Sequence, residues 1–301
     1  MTGSLDGQAR EQGVWSNGRT AIGLEGSLAT IDFSIGTSLA TPDAVRRHYD
    51  SLAFVYRTLW GDHIHHGLFV DGDRPARAQL RMVEHCVSLL GTFGRDVLDV
   101  GCGHGGTAVY LATRCGCQVL GITISEKQAH LARENATEAG VGSRVGILVA
   151  DAEKFAYPEA RFDVVWTMES SEHFANKGTY FQNASRTLRP GGRLLLSTWT
   201  GSMRSTQVRE VARRFLCPQL WTSEQCESSI TAAGLKVRTA EDLSRSVMRT
   251  WEICSQRAQA AKMAVQLLPA AAREFVAGIE VILETYRRGE LGYAVITAEK
   301  P

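Results

Sequence analysis

The chain has 301 residues, 44% of them hydrophobic, which suits one large α/β domain carrying insertions. Lys and Arg number 33 against 32 Asp and Glu, a net charge of +1, so no strong field favours nucleic acid or an anionic membrane. No apolar run approaches the ~20 residues of a membrane span, and MTGSLDGQAR lacks the basic start and apolar stretch of a secretory signal.

Seven cysteines (Cys86, Cys102, Cys115, Cys117, Cys217, Cys226 and Cys254) form an odd set without a CxxC pair. That argues against a disulfide framework or zinc cage and predicts a reducing, cytoplasmic setting. Basic pairs such as Arg213–Arg214 and Arg287–Arg288 read as solvated helix faces.

Residues 1–40 are rich in Gly, Ser and Thr without a sustained apolar period. They read as a flexible arm or a contact for a homo-oligomer, in which 29–35 could add an edge strand. Thr41, Pro42 and Asp43 look like an N-cap with proline at the first helical position, and Val45, Tyr49, Leu52, Ala53 and Tyr56 follow at helical spacing. A second helix is predicted from about Pro75 to Leu90, completing N-terminal cap helices over 41–95.

The chain then alternates strands and helices. Strands are predicted at Asp96–Val100, Gln118–Ile122, Val145–Val149, Phe162–Thr167 and Arg193–Thr198, the last fed by a turn at Arg189–Gly192. This alternation implies a parallel sheet with helices on both faces, with a core over 96–200. Over 201–301 the pattern gives helices near Thr206–Leu216 and Ser223–Ala233, a strand from about Leu235, a long helical cap insertion at about 244–288, and a closing strand at Leu291–Ala298.

DVGCGHGG at 99–106 follows a strand and opens a helix, and its glycines let a ligand approach the backbone. Its G-x-G-x-G-G spacing departs from the G-x-G-x-x-G that seats a pyrophosphate. A dinucleotide site also wants an acid at the end of the second strand, where Thr123 stands, with Gln128 one turn further on. The third strand ends in Ala150-Asp151-Ala152-Glu153, where a carboxylate could accept from an adenine amino group or simply cap a helix.

Together these motifs resemble the class I S-adenosylmethionine-dependent methyltransferases, and more closely the γ-tocopherol methyltransferase family of specialised metabolism. WGDHIHHG at 60–67, DVGCGHGG at 99–106, WTMESSEHFANK at 166–177, RPGG at 189–192 running to Thr198 and Trp199, and GYAVITAEKP at 292–301 carry the likeness. It spans roughly Arg46 to Pro301 and implies a Rossmann-like fold, a seven-stranded mostly parallel sheet with helices on both faces plus a helical cap.

The cyclopropane fatty acid synthases are a second, more distant resemblance, through HYD at 48–50 and Glu172-His173-Phe174. That group carries a Cys in the segment matching 65–69, where this chain has His66, which weighs against cyclopropanation.

The resemblance implies the cofactor S-adenosyl-L-methionine, leaving as S-adenosyl-L-homocysteine. Tyr49, Ile64 and His65 would close over its methionine end, and Gly101 and Gly103 would pass beneath. Thr123, Ile124 and Gln128 would hold the ribose, Asp151, Ala152 and Glu153 would surround the adenine, and Met168 would flank the sulfonium.

Glu169, Glu172 and His173 lie at the mouth of the fourth strand, the ligand side of an open α/β sheet. His173 is the first candidate for general base, since an imidazole titrates near neutrality. Glu172 would orient it or take the proton, and Glu169 would face the cofactor or a cationic intermediate. In the bland alternative Ser170 caps a helix that Glu172 and His173 begin. His63, His65 and His66 lack zinc-like partners and read as a hydrogen-bonded lid, with no metal expected. Trp60, Phe69, Trp199, Trp221 and Trp251 are candidates to bind a flat or prenylated acceptor, or are simply core.

The expected activity is methyl transfer to carbon, oxygen or nitrogen of a small aromatic, indole or terpenoid-like metabolite. Lipid cyclopropanation, a NAD-dependent oxidoreductase and a binding module without activity are the competing readings.

Overall fold

The computed structural model describes residues 40–60, 63–267 and 270–301, so the N-terminal arm anticipated over 1–40 lies, but for its last residue, outside the described residues. Helix α1 (Pro42–Trp60) starts as its sequence dictates: Thr41 Oγ1 accepts from the Ala44 N–H at 3.2 Å, with Pro42 at the first helical position. Helix α2 (Pro75–Leu90) precedes an alternation of β1 (Asp96–Val100), α3 (Gly106–Arg114), β2 (Gln118–Thr123), α4 (Glu126–Glu138), β3 (Val145–Val149), β4 (Phe162–Met168), α5 (Lys177–Thr187) and β5 (Leu188–Gly201). Then follow α6 (Thr206–Arg214), α7 (Ser223–Ala232), β6 (Lys236–Asp242), α8 (Ser244–Val247), α9 (Arg249–Ala260), α10 (Lys262–Gln266), α11 (Ala270–Arg287) and β7 (Leu291–Glu299).

The seven strands form one sheet in the order β3-β2-β1-β4-β5-β7-β6, with β7 antiparallel to both its neighbours. Alternate residues of the central strands feed two cores. Leu98, Val100, Val165, Leu194 and Leu196 pack with Tyr180, Phe181 and Ile230 of α5 and α7. Val97, Val119, Val164 and Trp166 pack on the other face with Met82, Ala108 and Ala132 of α2, α3 and α4. Burial on both faces is why these strands read as apolar runs.

The anticipated turn at Arg189–Gly192 lies within β5 as a register shift: Leu188 pairs with Phe162, and the next paired residue, Arg193, faces Val164. Gly191 there takes φ +74° and donates its N–H to the Lys300 carbonyl. The helical stretch expected at about 244–288 before β7 is divided into four helices, α8 to α11. No described helix is long and apolar enough to cross a membrane.

Strand order reverses between β1 and β4, leaving a crevice at their carboxyl ends where ligands of open α/β sheets bind. Every element of the site described next converges there.

Candidate active site

Where β1 ends, the Gly101 and Cys102 N–H groups both donate to the Ile122 carbonyl and turn the chain into the glycine loop. Gly101, Gly103 and Gly105 all take positive φ. A Cβ on Gly101 would lie 2.2 Å from that of Ser170, and one on Gly105 2.9 Å from that of Ala132, so both are demanded by packing. A Cβ on Gly103 would meet only Ile64 Cδ1, at 3.9 Å. Its bare face is turned to open space.

That space is a cleft of about 720 Å³, lined by Gly101 and Gly103, by Thr123, Ile124 and Gln128, by Asp151, Ala152 and Glu153, and by Tyr49, Ile64 and Met168. Thr123 Oγ1 donates to Gln128 Oε1 at 2.8 Å, tying the end of β2 to α4. Asp151 Oδ1 accepts from the Glu153 N–H and orders a turn; no helix begins there for it to cap, and the residue lines the cleft. Both oxygens of Glu153 accept from the N–H groups of Ala175 and Asn176, so its carboxylate holds the loop before α5.

Asp99 is buried at the foot of the cleft, and its Oδ2 has no hydrogen-bond partner. Burial raises its carboxyl to about 7. It lines, with Ile64, His65, Gly101, Gly103 and Met168, a smaller cavity sharing walls with the cleft. An orphaned acid beside a bare glycine is what the ammonium of a methionine tail requires. S-adenosylmethionine therefore fits the residues present: Asp99 and Gly103 would take its tail, and Thr123, Gln128 and Asp151 would hold its nucleoside. When bound it supplies an electrophilic methyl group on a good leaving group.

A second chamber of about 560 Å³ adjoins the cleft, and Tyr49, Ile64, Glu169 and His173 line both. Its remaining wall is largely aromatic, with Tyr56, Trp199, Phe215, Trp251 and Phe275. Trp199, Phe215 and Trp251 meet edge-on at centroid distances of 5.4–6.0 Å.

Glu169 is the hub of this chamber. It sits just past β4 at φ +48°, a conformation that a non-glycine residue keeps only when its surroundings impose it. Its carboxylate accepts four donors: the His66 N–H, His66 Nδ1, Trp199 Nε1 and the Tyr293 hydroxyl, at 2.7–3.1 Å. Burial alone would raise this carboxyl, but the His66 donors hold it below the usual range. His66 Nε2 faces Trp251 Nε1 at 2.6 Å. An indole N–H can only donate, so Nε2 accepts and the His66 proton sits on Nδ1, toward Glu169.

Glu172 is bonded through one oxygen only. Oε1 accepts from Thr198 Oγ1 and the Trp199 N–H, while buried Oε2 has no partner. Burial, then the Glu169 charge, raises its carboxyl to about 7. His173 Nδ1 is 3.0 Å from the Leu216 carbonyl, which can only accept, so Nε2 accepts from the Tyr49 hydroxyl at 2.9 Å. Burial lowers the imidazole to about 4, against the opposing pull of the Leu216 carbonyl. Leu216 itself takes φ +54°.

Eleven of the twelve residues anticipated for the cofactor line the cleft; His65 stands in the adjoining walls, its Nδ1 bonded to the His66 carbonyl and its Nε2 to His63. Ser170 stands at the N-cap position of a short 3-10 helix, Ser171–His173, that holds Glu172 and His173 as the alternative reading expected, but its Oγ makes no cap bond and donates to the Val100 carbonyl. Trp199 and Trp251 line the chamber, whereas Phe69 lines a separate small cavity and Trp221 packs near Phe181 and Lys177. The Trp60 side chain lies outside the described residues. Sequence reasoning missed Asp99, which an acid closing the first strand could have signalled. It also missed Tyr56, Phe215 and Phe275, which carry no local signal.

Comparison with known proteins agrees with this geometry. Residues 39–281 match the family model described as mycolic acid cyclopropane synthetase. The 27-O-demethylrifamycin SV methyltransferase of Amycolatopsis mediterranei is 34% identical over 275 residues, covering 87% of this chain and 98% of that protein. The probable chloroplastic tocopherol O-methyltransferase of rice, Oryza sativa, is 30% identical, covering 84% and 76%. A geranyl diphosphate methyltransferase solved in complex with SAM superposes with a TM-score of 0.66 at 26% identity, covering 79% of this chain and 99% of that one. With a cleft that fits the sulfonium cofactor, these matches decide against the oxidoreductase and the inactive binding module. The chain belongs to the mycolic acid cyclopropane synthetase family and is an S-adenosylmethionine-dependent methyltransferase, akin to the tocopherol and rifamycin enzymes.

Proposed function

We propose that this enzyme methylates carbon, oxygen or nitrogen of a small aromatic, indole or terpenoid-like natural product held in the aromatic chamber. The observation that carries this reading is the shared wall: a cleft that suits the cofactor and a largely aromatic chamber have Tyr49, Ile64, Glu169 and His173 in common. Alignment across that wall can contribute up to roughly 7–11 kcal/mol to a displacement whose leaving group is already good.

In this reading the acceptor atom forms its bond to the methyl carbon as the carbon–sulfur bond breaks, its electron pair going to sulfur. A proton lost by the acceptor passes to the Tyr49 oxygen while the Tyr49 proton moves to His173 Nε2. His173 is then the base acting through Tyr49, Glu172 is a second proton acceptor, and Glu169 positions the aromatic wall. The chain would work in the cytoplasm, and residues 1–40 would mediate any homo-oligomer.

Labelled-methyl transfer to a panel of aromatic metabolites tests this, with phospholipid vesicles as the contrasting acceptor. Transfer to soluble aromatics only is expected, and transfer to lipid chains would replace this reading with cyclopropanation. For His173→Ala, turnover should fall about 10²–10⁴-fold with near-normal S-adenosylhomocysteine affinity. An unchanged rate would remove His173 from the chemistry.

A further inference from the structure

The chamber is one-sided in charge. It is lined by two carboxyl groups and several imidazoles, and no lysine or arginine among the described residues lines it. His66 and His173 each have a ring nitrogen committed as acceptor, the first from Trp251 Nε1 and the second from Tyr49, so neither supplies a cation. Lys177, the nearby ammonium, donates to the carbonyls of Phe174 and Gln219 and sits over the Trp221 ring, off the chamber wall. Glu169 is saturated by its four donors and remains a fixed negative charge.

Against this background stands Glu172 Oε2, buried, lining the chamber and without a partner. An unpaired carboxyl oxygen at that depth needs a donor from outside the protein. Around it stand the rings of Tyr49, Tyr56, Trp199 and Trp251, whose faces attract positive charge.

We propose that the natural acceptor is a basic aryl-alkyl amine, its nitrogen set against Glu172 Oε2 and its ring among the chamber aromatics. This rests on the methyltransferase reading and narrows its acceptor class. Among the described residues an anionic head group would find carboxylates and no lysine or arginine, so the proposal disfavours phosphorylated and carboxylate-bearing acceptors on the same grounds.

The chemistry balances. Glu172, as carboxylate, takes a proton from the arriving ammonium and frees the nitrogen lone pair. Nitrogen then bonds to the methyl carbon as the carbon–sulfur bond breaks, and the positive charge moves from sulfur to nitrogen. The proton held on Glu172 leaves to solvent with the product. With its carboxyl raised to about 7 by burial and by Glu169, Glu172 can hold that proton near neutrality.

The test uses three matched probes, tryptamine, tryptophol and indole-3-acetate, titrated calorimetrically into the full-length protein saturated with S-adenosylhomocysteine. The saturating titration comes first: failure there removes the cofactor reading, while success followed by the wrong probe order removes only this proposal. Tryptamine should bind at least about tenfold tighter than tryptophol, with indole-3-acetate weakest. In Glu172→Gln that preference should shrink to about twofold, with S-adenosylhomocysteine affinity retained as proof of folding. Equal or tighter binding of the alcohol or acid, an undiminished preference in the variant, or no binding of any probe at millimolar concentration would each overturn the proposal.

Discussion

The cofactor cleft gathers around the ends of β1, β2 and β3, whereas the acceptor chamber is lined from α1, the segment after β4, β5, α9 and α11. In the cleft a missing Cβ and an orphaned acid define the ligand. In the chamber, one strained carboxylate, Glu169, orients His66 and Trp199, and through His66 reaches Trp251. The first kind of site tolerates little change along a short segment. The second kind can be re-lined without disturbing the first, which is how one fold serves many acceptors.

The sharpest way to break this contrast is Gly103→Val. Its side chain would project into the methionine end of the cleft, where Ile64 Cδ1 is the nearest atom. S-adenosylhomocysteine affinity should fall at least about 100-fold, while a residue at positive φ costs only about 1–2 kcal/mol of stability. Calorimetry and thermal melting read the two effects separately, and normal affinity would remove the loop from the site.

Glu172→Gln probes the chamber instead. The Glu172 carboxyl lies above its unfolded value, so folding favours its protonated form. That stability is fully present below about pH 4.5 and is lost as pH rises through about 7, a difference of up to about 3 kcal/mol. The glutamine variant should therefore gain stability relative to the parent as pH rises from 5 to 8. A parallel pair of melting curves across that range would show that Glu172 ionises freely.

Why the cleft was legible and the chamber only partly so follows from chain distance. The glycine loop, Thr123, Gln128 and Asp151 fall within one short run of β-α units, each at a strand end that apolar patterning locates. Chamber residues such as His48 and Phe275 lie far apart in sequence and meet only because α1 and α11 pack together. Ser170 shows the limit sharply. As a residue before a short turn it resembles a helix cap, yet its Oγ turns to the Val100 carbonyl because bare Gly101 lets it approach. Trp221 and Trp251 look equivalent as letters, and only the three-dimensional path puts one beside Phe181 and the other beside His66.

Asp99→Asn sharpens the account of the cleft. If Oδ2 receives the cofactor ammonium, the ionised acid is the binding form, and its carboxyl at about 7 means affinity falls as pH drops below neutrality. S-adenosylhomocysteine should bind the parent roughly tenfold weaker per pH unit below 7. The asparagine variant should lose about tenfold affinity at pH 8 and show a flat profile. A pH slope that survives the substitution would place the responsible group elsewhere.

The smallest effect separates the two regions most cleanly. Trp251→Phe keeps an aromatic ring near Trp199 and Phe215 but removes the indole N–H that donates to His66 Nε2, which is buried. Leaving that nitrogen unpaired costs about 1–3 kcal/mol, and the vacated indole volume adds some packing loss. The penalty falls on the wall facing the acceptor, while Trp251 takes no part in lining the cofactor cleft. The acceptor KM should therefore rise by about three- to tenfold, with S-adenosylhomocysteine affinity unchanged. An equal loss of affinity for both ligands would mean that the His66–Glu169 network carries strain into the cleft through Glu169, one of the four residues both regions share, and the independence argued for the two sites would fail.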